Sequence, residues 1–163
     1  MKVVNSIFVF LLLVGIAYSH LCLFSPQQRG SGPPLITGPG SDDCFNPVRQ
    51  SNACGSKNAG AVVATLGVNS YYSVHFQQNF NHWMKSNPGF MDISLSYDGQ
   101  TFKQLEVIPD FNAFDMWTQT NFTIPILVPS TPCDSCVIRV RYVPNNPLEP
   151  PMGFVQCADV QIA

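Results

Sequence analysis

At 163 residues the chain is long enough for one domain with its own core, and eight Lys and Arg against ten Asp and Glu give a formal charge of −2. With no basic stripe, nucleic acid and acidic polymers are poor partner candidates. The low charge content, with many Pro, Phe and Asn residues, suits an extracellular β domain better than a helical cytosolic one.

The chain opens as a secretory leader: Met1 and Lys2, an apolar run from Ile7 to Ile16, then Ala17-Tyr18-Ser19. That run is too short to span a bilayer. Ala17 and Ser19 fit the −3 and −1 positions of a cut before His20, and a rival cut after Ala17 leaves Tyr18 first. The expected organisation is a leader over 1–19 and a single secreted domain over 20–163. No later segment is apolar enough to cross a membrane, and a monomer is expected. Loss of Lys2 with the leader leaves seven basic and ten acidic side chains, a formal charge of −3.

A strand follows His20. Residues 25–60 are then rich in Gly, Pro, Ser and Asn, with two cysteines, and read as a long functional or disordered loop whose cysteines argue for order. Short alternating segments come next: 61–67, 71–80, 90–97, 101–108, 121–128, 137–143 and 154–162. Asp98-Gly99 is a hairpin signal between two of them. Residues 144–151 form a shorter Pro-rich loop. Seven or eight strands without helical periodicity predict an all-β fold, an antiparallel sandwich of Ig or fibronectin-III type with long disulfide-tied loops. Asn121-Phe122-Thr123 is the one acceptable N-glycosylation sequon, requiring exposure.

All six cysteines, Cys22, Cys44, Cys54, Cys133, Cys136 and Cys157, lie after the leader, and an even count in an oxidising compartment reads as up to three disulfides. Sequence cannot choose among the connectivities. The working expectation pairs Cys44 with Cys54 across the turn-rich stretch and Cys22 with Cys157 between the first and last strands. Cys133-Asp134-Ser135-Cys136 has redox-motif spacing but lacks the helix that lowers a thiol pKa, so it reads as structural.

There are three histidines. As a first residue, His20 offers a metal both its α-amino group and its ring. His75 falls on the polar parity of its strand with Ser73 and Gln77. His82 follows the strand end, where a β scaffold fixes side chains while leaving them accessible, and is the better partner for His20. Amine and imidazole donors favour Cu(II) by the Irving–Williams order, and the α-amino group, with a reference pKa of about 7.7–8.0, gives up its proton to a metal near neutral pH. A structural zinc site needs four ligands, which three histidines and oxidised cysteines do not supply. On the histidines alone, the plainer reading is favoured: His20 merely follows the leader and His82 is a hydrogen-bonded loop residue.

Three stretches alter that balance. The start His20-Leu21-Cys22-Leu23-Phe24-Ser25-Pro26-Gln27-Gln28-Arg29-Gly30 is one. The second is Phe76-Gln77-Gln78-Asn79-Phe80-Asn81-His82-Trp83 with Asn87-Pro88-Gly89-Phe90, and the third runs from Gly153 to Val160. In order and spacing they resemble the histidine-brace copper superfamily, which includes the lytic polysaccharide monooxygenases and related non-catalytic copper-acquisition proteins. The resemblance implies one copper ion held by the amine and Nδ1 of His20 and the Nε2 of His82. Phe154 is implied as the axial residue, shielding rather than ligating, and its alternative is an ordinary core position shared with Val160 and Ile162.

Active members of that superfamily place a Gln or Glu beside the copper. Two residues before Phe154 stands Met152, which cannot serve; Gln156 and Glu149 are the candidates for a supporting shell, their reach not legible in sequence. Such members also present exposed aromatics to a polysaccharide; Phe45, Trp83, Phe111, Phe114 and Trp117 are available. Three readings follow: a secreted copper-binding or copper-handling protein, a monooxygenase cleaving chitin, cellulose or a related glycan, and a metal-free structural or adhesive sandwich. No nucleophile elbow or singled-out carboxylate pair supports a hydrolase.

Overall fold

In the computed structural model, residues 21–30, 38–46 and 53–163 are described. The leader, His20 and the remaining stretches of the long loop lie outside them. Eight strands follow one another: β1 (Leu21–Ser25), β2 (Ala64–Leu66), β3 (Tyr71–Gln78), β4 (Phe90–Ser96), β5 (Lys103–Pro109), β6 (Thr120–Leu127), β7 (Cys133–Val143) and β8 (Phe154–Ile162). One 3-10 turn, Asp42–Cys44, interrupts the long loop.

The strands form a sandwich of a three-stranded sheet, β1-β3-β6, and a five-stranded sheet, β2-β8-β7-β4-β5. Period-2 alternation explains the layering, because successive side chains of a strand point to opposite faces. In β3, Val74 and Phe76 are buried while Ser73 and His75 are exposed. Phe76 stacks on its cross-strand partner Phe122, ring centroids 4.9 Å apart. From the other sheet Met91, Ile93, Ile138, Val140 and Val160 close the same core. Truncating a buried aromatic such as Phe76 to alanine costs about 3–5 kcal/mol in cores of this kind.

The all-β sandwich expected from sequence is present, with differences in detail. The β2–β8 pair is parallel, so the larger sheet is mixed rather than antiparallel throughout. Strand β7 begins at Cys133, earlier than its alternating pattern, because the register shift between Cys133 and Cys136 breaks the period there. The expected pairings Cys44–Cys54 and Cys22–Cys157 are not formed. Cys22 is joined to Cys44, Cys54 to Cys157 and Cys133 to Cys136. Nearness in sequence misled: Cys54 lies over β8, its Cα 5.6 Å from that of Cys157, within the range a disulfide bridges. The long loop is thus tied once to β1 and once to β8.

The Asp98-Gly99 turn behaves as its residues dictate. Gly99 takes φ +73°, and Asp98 Oδ1 accepts hydrogen bonds from the N–H groups of Thr101 (2.7 Å) and Gln100 (2.8 Å) and from the Ser96 hydroxyl (2.8 Å). Those donors, the Thr101 N–H first, hold the Asp98 carboxyl well below the usual carboxylate range. A depressed folded-state pKa contributes stability that is present above the unfolded value, about 4, and lost as pH falls toward the folded one. Asp98→Ala is therefore expected to lower Tm at pH 7, with the gap to wild type narrowing below about pH 4. Melting curves across pH check this; a gap that stays constant on acidification contradicts it.

Candidate metal centre

β3 stops at Gln78, and residues 79–82 leave the sheet at the end of the sandwich where β1 begins. Leu21, one residue after His20, is in register with Gln78, four residues before His82. His82 is 6% exposed. Its Nδ1 lies 2.9 Å from Oε1 of the buried Glu149. An ionised carboxylate only accepts, so this contact puts the proton on Nδ1 and, in the neutral ring, directs the Nε2 lone pair outward from the pair. Nε2 is buried and has no hydrogen-bond partner among the described residues.

The backbone of His82 is held as tightly as its ring. Its N–H donates to the Tyr142 hydroxyl (2.9 Å), which donates to Asp110 Oδ2 (2.9 Å). Asp110 Oδ1 accepts from Gln78 Nε2 and from the N–H of Phe111, and Asn81 Nδ2 bridges Gln78 Oε1 to the carbonyl of Phe111. Burial raises the Asp110 carboxyl above its ordinary pKa and pushes the Tyr142 phenol far above its own, so that hydroxyl remains a donor. A satisfied polar network of this kind fixes a loop in one arrangement.

Aromatic rings complete the enclosure. Phe154 lies near parallel to the His82 ring at 16°, centroids 6.3 Å apart, and Phe80 lies 5.0 Å from it on a tilt. Phe80 in turn meets Trp117 edge-on at 4.6 Å. Gly153 makes the approach of Phe154 possible: its φ is +77°, and a Cβ there would collide with the Tyr142 carbonyl. Beside His82 opens a cleft of about 240 Å³, lined by Asn81, Trp83, Phe114, Met116 and Asn146 among others.

The residues singled out in sequence divide accordingly. His82, Glu149 and Phe154 meet. Gln156 lies on the core face of β8 with Phe154, fully buried, and neither atom of its carboxamide has a hydrogen-bond partner among the described residues. His75 is exposed, its Nδ1 2.9 Å from the Thr123 hydroxyl, and stays apart from His82. Of the candidate surface aromatics, Phe114 (96% exposed) and Trp117 (57%) stand open. Phe111 instead packs toward Phe122, and Phe45 toward Phe154. Tyr142 and Asp110 were not singled out in sequence; a tyrosine on the core parity of β7 with Ile138 and Val140 was the available signal. Among the described residues no three His, Cys, Asp or Glu side chains gather as a metal site. His20 lies outside them.

The fold has a counterpart among solved structures. An AA10 lytic polysaccharide monooxygenase from Streptomyces lividans superposes with a TM-score of 0.53 over 87% of this chain and 99% of its own, at 12% identity. The likeness is one of fold. A monooxygenase of the same kind from Kitasatospora papulosa overlaps more loosely, with a TM-score of 0.36 at 11% identity over 68% of this chain and 54% of its own. The sequence matches no protein-family model and no curated protein. No helix among the described residues is long and apolar enough to cross a membrane.

Proposed function

We propose that the chain is a secreted protein which, after cleavage before His20, binds one copper ion through the amine and Nδ1 of His20 and the Nε2 of His82. The carrying observation is the state of the His82 ring. A buried nitrogen left unpaired costs about 1–3 kcal/mol, which a metal ion bound there offsets. The opposite nitrogen held by a carboxylate is the arrangement that orients histidine ligands in metal sites generally and raises their basicity. The register of Leu21 with Gln78 supports bringing the start of the mature chain to the same end of the sandwich. Three nitrogen donors suit Cu(II), and the residues present fit that ion.

Within this reading each neighbour has a task. Glu149 holds the ring proton and the ring plane. Tyr142, itself held by Asp110, holds the His82 backbone. Phe154 and Phe80 exclude water from two sides of the ring and offer no ligand. Bound copper supplies one-electron chemistry, the protein supplying orientation and electrostatics.

The reading as a polysaccharide monooxygenase is supported by the shared fold, by Phe114 standing open in the wall of the His82 cleft with the exposed Trp117 against Phe80, and by Gln156, an unpaired carboxamide on the face of Phe154. The metal-free sandwich leaves both buried unpaired groups without a purpose. Preparing the protein with its native His20 terminus and with one extra residue ahead of it tests the copper reading. The extension is expected to weaken Cu(II) binding and change the EPR spectrum; equal affinity and identical spectra overturn the brace. Copper-loaded protein given a reductant, peroxide and a panel of β-linked glycans then decides the enzymatic reading by release of oxidised oligosaccharides.

A further inference from the structure

We infer that Asn121 carries an N-linked glycan, which stands at the rim of the His82 face and guards the free edge of the three-stranded sheet; this rests on the chain being secreted. The sequon Asn121-Phe122-Thr123 lies in β6, and both Asn121 and Thr123 are exposed. The neighbouring hydrogen bonds fix which way the asparagine faces. Gln77 Oε1 already accepts from Asn79 Nδ2 (2.7 Å) and Gln119 Nε2 (3.1 Å), so Gln77 turns its amide nitrogen toward Asn121 and donates to Oδ1 at 2.9 Å. That leaves Asn121 Nδ2, the atom that takes the sugar, with no hydrogen bond among the described residues.

A surface for the first sugar adjoins it. A depression of about 380 Å³ is lined by Asn121 itself with Phe24, Ser25, His75 and Thr123 among its walls. Rings beside polar groups are what the apolar face and hydroxyls of a pyranose require.

The edge explains why a glycan belongs there. β6 pairs with β3 on one side and lies at the margin of its sheet, as β5 does in the other. Exposed edges invite pairing with another chain and are blunted by charges, Pro or a cover. β5 carries Lys103, Glu106 and Pro109. β6, Thr-Asn-Phe-Thr-Ile-Pro-Ile-Leu, has no charge and only Pro125. A bulky, solvated sugar chain on Asn121 makes up the difference. Register sets its other consequence. Asn121 pairs with Gln77, and Thr120 with Gln78, which on its other side pairs with Leu21. The glycan therefore rises one residue from the strand end that leads to His82, bordering that face on one side.

The modification joins Nδ2 to the anomeric carbon of a lipid-diphosphate-linked oligosaccharide. The carbon–oxygen bond to the diphosphate breaks, the lipid diphosphate leaves, and one Nδ2 proton is lost. The test expresses the full chain in a eukaryotic secretory host, with its own leader and separately with a proven foreign one. A mass loss on treatment with peptide N-glycosidase is expected, with Asn121 converted to Asp in peptide maps. Asn121→Gln abolishes it, and Thr123→Ser retains it. Secreted protein with unmodified Asn121 overturns the proposal. If only the foreign leader yields secreted, glycosylated protein, the secretion reading fails while the glycan stands. Asn121→Gln protein, which lacks the sugar and adds no charge to β6, should self-associate by light scattering where the glycosylated form does not; equal monodispersity of the two overturns the guarding role.

Discussion

His82→Ala is expected to weaken Cu(II) binding by more than about a hundredfold, measured by calorimetry or competition against a chelator of known affinity. Loss of a partner that only orients a metal ligand typically costs 10–100-fold, and removal of a ligand exceeds that. Glu149→Ala should therefore fall inside that range, because it frees the Nδ1 proton and ring orientation without removing Nε2. His75→Ala should leave affinity unchanged, since that ring is exposed and bonded to Thr123. The ordering of the three variants is the content of the prediction. If His75→Ala weakens binding as much as His82→Ala, the assignment of the site to the end of β3 is wrong.

Asp159→Ala should destabilise the fold by about 3–5 kcal/mol, the range for leaving one member of a buried ion pair alone. Arg29 donates to both carboxylate oxygens of Asp159, Nε to Oδ2 at 2.9 Å and Nη2 to Oδ1 at 2.6 Å, and both side chains are almost fully buried. Gly60 N–H also donates to Oδ2, at 2.8 Å. Alanine strands a guanidinium and a backbone donor together. For a chain of this size each kcal/mol lowers Tm by about 2–4 °C, so a fall on the order of 10 °C is expected. Replacing both partners by apolar residues of similar volume, Arg29→Met with Asp159→Leu, should recover much of the loss. A single-variant cost below about 1 kcal/mol would show that the pair is not the clamp described. The clamp matters for the site because Arg29 follows β1 by four residues and ties that end of the chain to β8, through its N–H to the Cys157 carbonyl as well.

Much of this arrangement was readable in the sequence for a simple reason: half-buried strands advertise themselves by alternation. Phe154 to Ile162 was delimited as it stands, and the chain turns at Asp98-Gly99, where the Asp carboxylate accepts backbone N–H groups and Gly takes a positive φ. The preference for His82 over His75 came from its place just after the strand end; parity put His75 on the polar face, where it is exposed. What escaped is what alternation does not encode. The parallel β2–β8 pair and the disulfide partners depend on how distant segments stack. Glu149 reaches His82 from a Pro-rich loop that has no period from which to read direction. Tyr142 looked like one more core residue because its ring is one; only its hydroxyl, at the sheet end, meets His82 and Asp110.

The chain contains two tryptophans, and both stand at this end of the molecule: Trp83 is the next residue after His82, and Trp117 meets Phe80, which meets the His82 ring. All indole fluorescence thus originates within a few ångströms of the candidate centre or of the ring that borders it. Emission from this protein is a local signal rather than an average over the fold. A paramagnetic ion seated on His82 has both fluorophores within quenching range, so its arrival and departure can be followed in solution without attaching a label.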